Sequence, residues 1–213
     1  MSGRKKQERY APPTNHESLP HFDPRPAARI AASILRKVGA PHAIIGRVAM
    51  WTYLPPEQQE FTKDVDFAVP AEFIAAVEAE VRRRKLTCRQ LQIGGIGVRD
   101  GDLRLDLIDR RVHHAAMFRE AIEAAQRSGR VVSVGRVKLP LVPVEYLVAM
   151  KMVSGEPKDD RDVKRLLEHV KMNYRDARKI VTRHLGSVTA DRLDVFARES
   201  GRPEVPRRRK YES

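Results

Sequence analysis

The sequence predicts an α+β fold: a small mixed sheet flanked by helices, followed by a helical C-terminal region. Three observations carry this reading. Short apolar strands alternate with helical patterns up to about residue 140. Beyond that point the patterns are helical, with no strand between them. Two of the strands, within 61–70 and 103–108, set aspartates on one face and apolar residues on the other.

Taken in order, 27–38 spaces its apolar residues for a helix that stops before Gly39. Residues 42–45 form a short apolar strand reaching Gly46, and 47–54 a helix that Pro55-Pro56 ends. The loop 55–60 leads into the first acidic strand. A helix over 70–85 follows, with Phe73, Ile74, Val77 and Val81 as its stripe. Residues 87–93 and 96–99 read as strands around Gly94-Gly95, a hairpin turn rather than a phosphate loop because no Lys-Ser/Thr follows. Asp100-Gly101 is a turn before strand 103–108. Residues 113–126 are helical, 131–139 strand-like around Gly135, and 144–153, 159–170, 174–185 and 189–200 helical. Gly155-Glu156-Pro157 breaks the first of these four.

These patterns divide the chain into a flexible, proline-bearing arm at 1–25, a core at 26–140, a helical region at 141–201 and a basic disordered tail at 202–213. At 213 residues and 41% hydrophobic content, the chain has enough material for a sizeable core. No apolar run has the length of a membrane span, and the basic start at 1–6 lacks a signal-peptide core. Cys88 is the single cysteine, which excludes an internal disulfide. These features predict a cytoplasmic protein, with Cys88 an inert thiol.

The net charge of +13 gathers in clusters at 4–6, 82–85, 175–183 and 207–210. Such a field attracts a polyanion, nucleic acid above all. The alternative is a set of solvated basic faces, since no cluster interleaves with aromatics as a base-stacking platform does.

Asp64 and Asp66 share one face of their strand, and Asp106 lies on the polar face of the second. If the two strands are neighbours, the three carboxylates meet on one side of the sheet. They would then suit Mg²⁺, a hard cation that takes few protein oxygens and leaves room for water and phosphate. A pair of such ions about 4 Å apart clamps both oxygens of an in-line phosphoryl displacement. The plainer alternative is that strand aspartates only oppose aggregation. His113-His114 has no partner at ligand spacing and reads as surface. Trp51 and Tyr53 read as core or pocket wall.

The ordered pieces 44–50 (Ile-Ile-Gly-Arg-Val-Ala-Met), 61–67 (Phe-Thr-Lys-Asp-Val-Asp-Phe), 105–108 (Leu-Asp-Leu-Ile) and 144–163 resemble the DNA polymerase β-type nucleotidyltransferase superfamily. Within it, the resemblance is to the minimal bacterial AbiEii-like group, which includes toxins of toxin–antitoxin systems. It spans about residues 40–170. It implies an enzyme that moves an NMP from an NTP to a hydroxyl, with Mg²⁺ as cofactor. RNA or a tRNA 3′ end is the acceptor toward which the basic charge points, and an antitoxin protein is an implied partner. Asp64, Asp66 and Asp106 are the implied metal ligands and, with Lys151, the catalytic set. Gly46, Arg47, Thr62 and Lys151 are the implied nucleotide contacts, with Gly46 presenting backbone amides to the triphosphate.

Asp159 and Asp162 are further candidates, with helix capping as their alternative role. Lys151 has a surface position as its alternative. The family usually has Gly-Gly or Gly-Ser where this chain has Gly46-Arg47, and often an arginine where this chain has Glu60. Arg47 therefore either crowds the phosphate approach or supplies a charged contact to it. These departures motivate a second reading, a non-catalytic nucleic-acid- or partner-binding module on the same scaffold.

Overall fold

Strand pairing decides whether the acidic residues meet, and the two acidic strands are neighbours. The computed structural model describes residues 8–9 and 23–202. The expected basic tail beyond Arg202, and most of the expected arm, lie outside the described residues. The chain falls into two units, Met1–Pro143 and Val144–Ser213.

The first unit begins with β1 (Glu8–Arg9), α1 (Pro24–Val38), β2 (Ala43–Ile45) and α2 (Gly46–Tyr53). After β3 (Val65–Ala68) and α3 (Ala71–Arg83) come β4 (Thr87–Gln90), β5 (Ile96–Asp100) and β6 (Leu103–Ile108). It closes with α4 (Ala115–Ser128), β7 (Val131–Val134) and β8 (Val137–Pro140). The main sheet has the order β2-β3-β6-β5-β4. Its one parallel pair is β3 with β6, and the rest are antiparallel. A second sheet has the order β1-β7-β8.

Register sorts the side chains. Val65 and Phe67 on β3, Leu105 and Leu107 on β6, and Val98 and Ile96 on β5 are matched across the strands, and all six are 0% exposed. This apolar face is the heart of the unit; burying one such side chain is worth about 1.5–3 kcal/mol. The alternate residues of the same strands, Asp66, Asp106 and Gly97, share the opposite face, also in register. α1 packs on β3 and β6, and α3 on β4 and β5.

α1 starts three residues before the expected Ala27. Asp23 caps it by accepting a hydrogen bond from the Arg25 N–H at 2.9 Å, and Pro24 fills the first helical position. There a missing N–H costs nothing, so a proline that resembled loop material is instead a helix start.

The second unit is all helix among the described residues: α5 (Val144–Met152), α6 (Pro157–His169), α7 (Tyr174–Leu185) and α8 (Ser187–Glu199). α5 packs on α6 and α7, and α8 packs on the same two. The buried Tyr174 hydroxyl donates to Asp194 Oδ1 at 2.5 Å, and Arg178 Nε donates to the same carboxylate at 2.9 Å, tying α7 to α8. Burial together with the Asp194 carboxylate pushes the Tyr174 phenol well above its ordinary range. Among the described residues, no helix is long and apolar enough to cross a membrane.

Candidate active site

The candidate site is the polar face of β3, β6 and β5. Asp66 pairs in register with Asp106 across the parallel strands, and Asp106 pairs with Gly97 across the antiparallel ones. Asp64 lies just before β3, two residues from Asp66 and so on the same side.

Gly46 closes over this face. It sits at the junction of β2 and α2 with φ +65°, a left-handed conformation that side chains disfavour. A Cβ on Gly46 would lie 2.0 Å from Asp66 Oδ2. Only a glycine lets the first turn of α2 approach the Asp66 carboxylate this closely. Ile45, at the N-cap of α2, makes no side-chain capping bond. The backbone therefore brings a helix N-terminus, which favours anions, beside carboxylates, which favour cations.

Arg99 on β5 occupies the same face. Its Nη1 lies 2.7 Å from Asp106 Oδ1, and its Nη2 lies 3.9 Å from Asp64 Oδ1. Nη1 also donates to the carbonyls of Val98 (2.9 Å) and Leu105 (3.1 Å). Despite that proximity, Asp106 Oδ1 is buried and receives no hydrogen bond. Among the described residues, no group of three or more His, Cys, Asp or Glu side chains is gathered closely enough to hold a metal ion. Asp64, Asp66 and Asp106 thus share a face, as their alternation requires, but they are not drawn into one cluster, and Arg99 stands between two of them.

The two departures noted in the sequence prove to be partners. Arg47 Nη1 lies 2.7 Å from Glu60 Oε2 and donates to the Phe61 carbonyl at 3.0 Å. Trp51 Nε1 donates to the Glu60 carbonyl at 2.8 Å, while Gln59 Nε2 donates to the carbonyls of Trp51 and Leu54. α2 is thereby stitched to the loop that delivers Asp64. Thr62 completes that delivery: its hydroxyl lies 3.3 Å from the Asp64 carbonyl and 3.4 Å from the Asp64 N–H. Trp51 is buried, and Tyr53 donates its hydroxyl to the Val142 carbonyl at 2.6 Å.

Lys151 belongs to the second unit, where it is not a surface lysine. Its Nζ lies 2.7 Å from Asp159 Oδ1 and 2.7 Å from Asp162 Oδ2, and its side chain is 14% exposed. Burial pulls the Lys151 pKa down, but the two carboxylates outweigh it and hold the ammonium above its ordinary range. Burial likewise opposes ionisation of Asp159, and hydrogen bonds from Lys151 and Ser154 outweigh it, leaving that carboxyl below its ordinary range. Capping is not the role of these acids: the N-cap of α6 is Glu156, and both aspartates turn inward to Lys151. The cluster pins the end of α5 to the start of α6.

Two residues escaped the sequence. Arg99 carries no motif; the β5–β6 register pairs it with Arg104 and so sets it diagonal to Asp106 on the same face. Asp109 is buried at the end of β6 and pairs with Arg111, its Oδ1 accepting from the Arg111 N–H at 2.9 Å. Gly94 and Gly95 are both at positive φ: a Cβ on Gly94 would lie 2.3 Å from Asp109 Oδ1, and one on Gly95 would lie 2.0 Å from the Leu107 carbonyl oxygen of β6. The di-glycine thus turns the β4–β5 hairpin against β6.

No family model matches the sequence, and no curated protein matches it. Solved structures that the chain matches include two with TM-scores below 0.5. The solution structure of the antibiotic-resistance factor ANT(2'')-Ia gives a TM-score of 0.41 at 12% identity, over 83% of this chain and 93% of that one. An antigenic nucleotidyltransferase-like protein from Paracoccidioides brasiliensis gives 0.44 at 13%, over 81% and 90%.

Proposed function

We propose that this chain is a Mg²⁺-dependent nucleotidyltransferase of the DNA polymerase β type, in the manner of the AbiEii-like group. It would transfer an NMP from an NTP to a hydroxyl. One observation carries the reading: Gly46, at φ +65°, seats the first turn of α2 on the Asp66 carboxylate, which is itself in register with Asp106. An anion-favouring helix start beside paired carboxylates is what a metal–triphosphate substrate needs.

The residues fit a hard cation in kind. They are carboxylates, and Asp106 Oδ1 is a buried oxygen without a hydrogen bond. Asp64, Asp66 and Asp106 would hold the ion, which when bound supplies charge neutralisation to the transferring phosphoryl group. The amides at the start of α2 would receive the triphosphate. Asp106 would accept the proton of the attacking hydroxyl as its oxygen bonds to the α-phosphorus and pyrophosphate departs. Thr62 holds the backbone that aims Asp64. Arg47, bound to Glu60, sets the position of α2 rather than neutralising phosphate alone. The net charge of +13 supports RNA, such as a tRNA 3′ end, as acceptor, and the AbiEii-like resemblance supports an antitoxin-like protein as a regulator.

The test is incubation of the protein with each labelled NTP, Mg²⁺ and total RNA or protein extract. Label transfer that disappears in Asp66→Asn and Asp106→Asn supports the reading. A second reading, a non-catalytic binding module, is favoured by the Arg99 guanidinium lying among the acids. It predicts no transfer with any NTP and RNA binding that survives both substitutions.

A further inference from the structure

We propose that Arg99 is the resident counter-cation of the aspartate face, holding the place a divalent ion would take, so that ion binding must displace its guanidinium. This rests on the metal-dependent reading above and adds a control to it.

The placement is built rather than incidental. Arg99 and Gly97 lie two residues apart on β5 and so share the face of Asp106. Gly97 leaves the space over which the arginine folds back: a Cβ there would lie 3.0 Å from Asp106 Oδ1 and 3.5 Å from Arg99 Nη1. A side chain at 97 would crowd the Asp106 carboxylate first and touch the guanidinium at ordinary contact distance. The Val98 and Leu105 carbonyls then anchor Nη1, independently of any carboxylate. The fork spans the gap between Asp106, at 2.7 Å, and Asp64, at 3.9 Å.

The charges dictate the rest. Without a cation, acids sharing one partly buried face repel, and Arg99 relieves this in the ion-free protein. A guanidinium stays protonated at every physiological pH, so it cannot yield by losing its charge. A divalent ion at Asp64 and Asp106 would face that fixed positive charge at contact distance. The guanidinium must therefore swing away, and the contacts it gives up are subtracted from the ion's affinity. The ion-pair contact with Asp106 is also imperfect, since Oδ1 accepts no hydrogen bond from Arg99.

The experiment is calorimetric titration of the full chain with Mn²⁺ and with Mg²⁺, alongside thermal melts with and without ion. Arg99→Gln keeps an N–H donor for the two carbonyls but removes the charge. Arg99→Lys keeps the charge. The expected result is ion affinity about tenfold higher in Arg99→Gln than in the native protein, with Arg99→Lys close to native. Ion-free Arg99→Gln should also melt lower and gain more from added ion. If the native protein binds the ion and Arg99→Gln binds it no more tightly, the Arg99 inference is overturned while the metal-dependent reading stands. If neither protein binds an ion at millimolar concentration while both remain folded by circular dichroism, both fall together.

Discussion

At the scale of single residues, Gly46 has the most exacting position in the first unit. Its φ of +65° and the 2.0 Å approach a Cβ would make to Asp66 are separate constraints. The backbone conformation alone costs a non-glycine residue about 1–2 kcal/mol. Gly46→Ala should therefore destabilise the protein by at least that much in urea unfolding. In an Asp66→Gly background, which removes the carboxylate, the cost should shrink toward the conformational part. Equal costs in both backgrounds would show that Asp66 is not what the glycine accommodates. Arg47 and Glu60 teach a related lesson. Read singly, Arg47 either crowds a phosphate or contacts it and Glu60 stands where the family often has an arginine; together they are an ion pair with side chains 21% and 35% exposed. A double-mutant cycle on them should give a coupling of about 0.2–1 kcal/mol, the range for partly exposed pairs.

At the scale of elements, the Lys151 cluster is the joint between α5 and α6. Lys151→Met removes the cation that buried Asp159 and Asp162 share, while Arg165 stays 3.9 Å from Asp162 Oδ1, and should cost about 3 kcal/mol in unfolding measurements. The pH dependence follows from the shifts. Asp159 is held below its ordinary 3.8, so its contribution to stability is fully present above that value and is lost as pH falls through the lower folded-state pKa. Lys151 is held above its ordinary 10.5, so its contribution is present below that value and lost only in stronger base. Thermal melts from pH 6 down to about pH 2 should show a loss that is smaller in Asp159→Asn. An unchanged acid profile in that variant would mean the pair carries no linkage. The strand elements were well read from alternation: β6 spans Leu103–Ile108 as expected, and β3 is its neighbour. The start of α1 was not, because Pro24 reads as loop until Asp23 is seen to cap it.

At the scale of the molecule, the net charge of +13 makes a prediction apart from catalysis. If RNA is the acceptor, binding should weaken by at least about tenfold between 50 and 200 mM salt, measured by fluorescence anisotropy with a tRNA-length probe. Salt-independent binding, or none at low salt, would remove RNA from the proposed partners. Both units, Met1–Pro143 and Val144–Ser213, contain buried polar joints: Asp109 with Arg111 in the first, and Lys151 with Asp159 and Asp162, and Asp194 with Tyr174 and Arg178, in the second.

The sequence by itself determined the α+β class and the two-faced strands, because alternation and helical period are local properties of the chain. It also put Asp64, Asp66 and Asp106 on polar faces for the same reason. What only the tertiary structure decided depends on register between strands, of which β3 and β6 lie far apart in sequence and β5 and β6 are joined by a turn. Register set Asp66 beside Asp106, brought Gly46 down onto Asp66, and folded Arg99 back across Gly97 to Asp106. A strand's face can be read from its own residues. The charge that answers it lies on another strand, and which residues of the two strands meet is settled by their register.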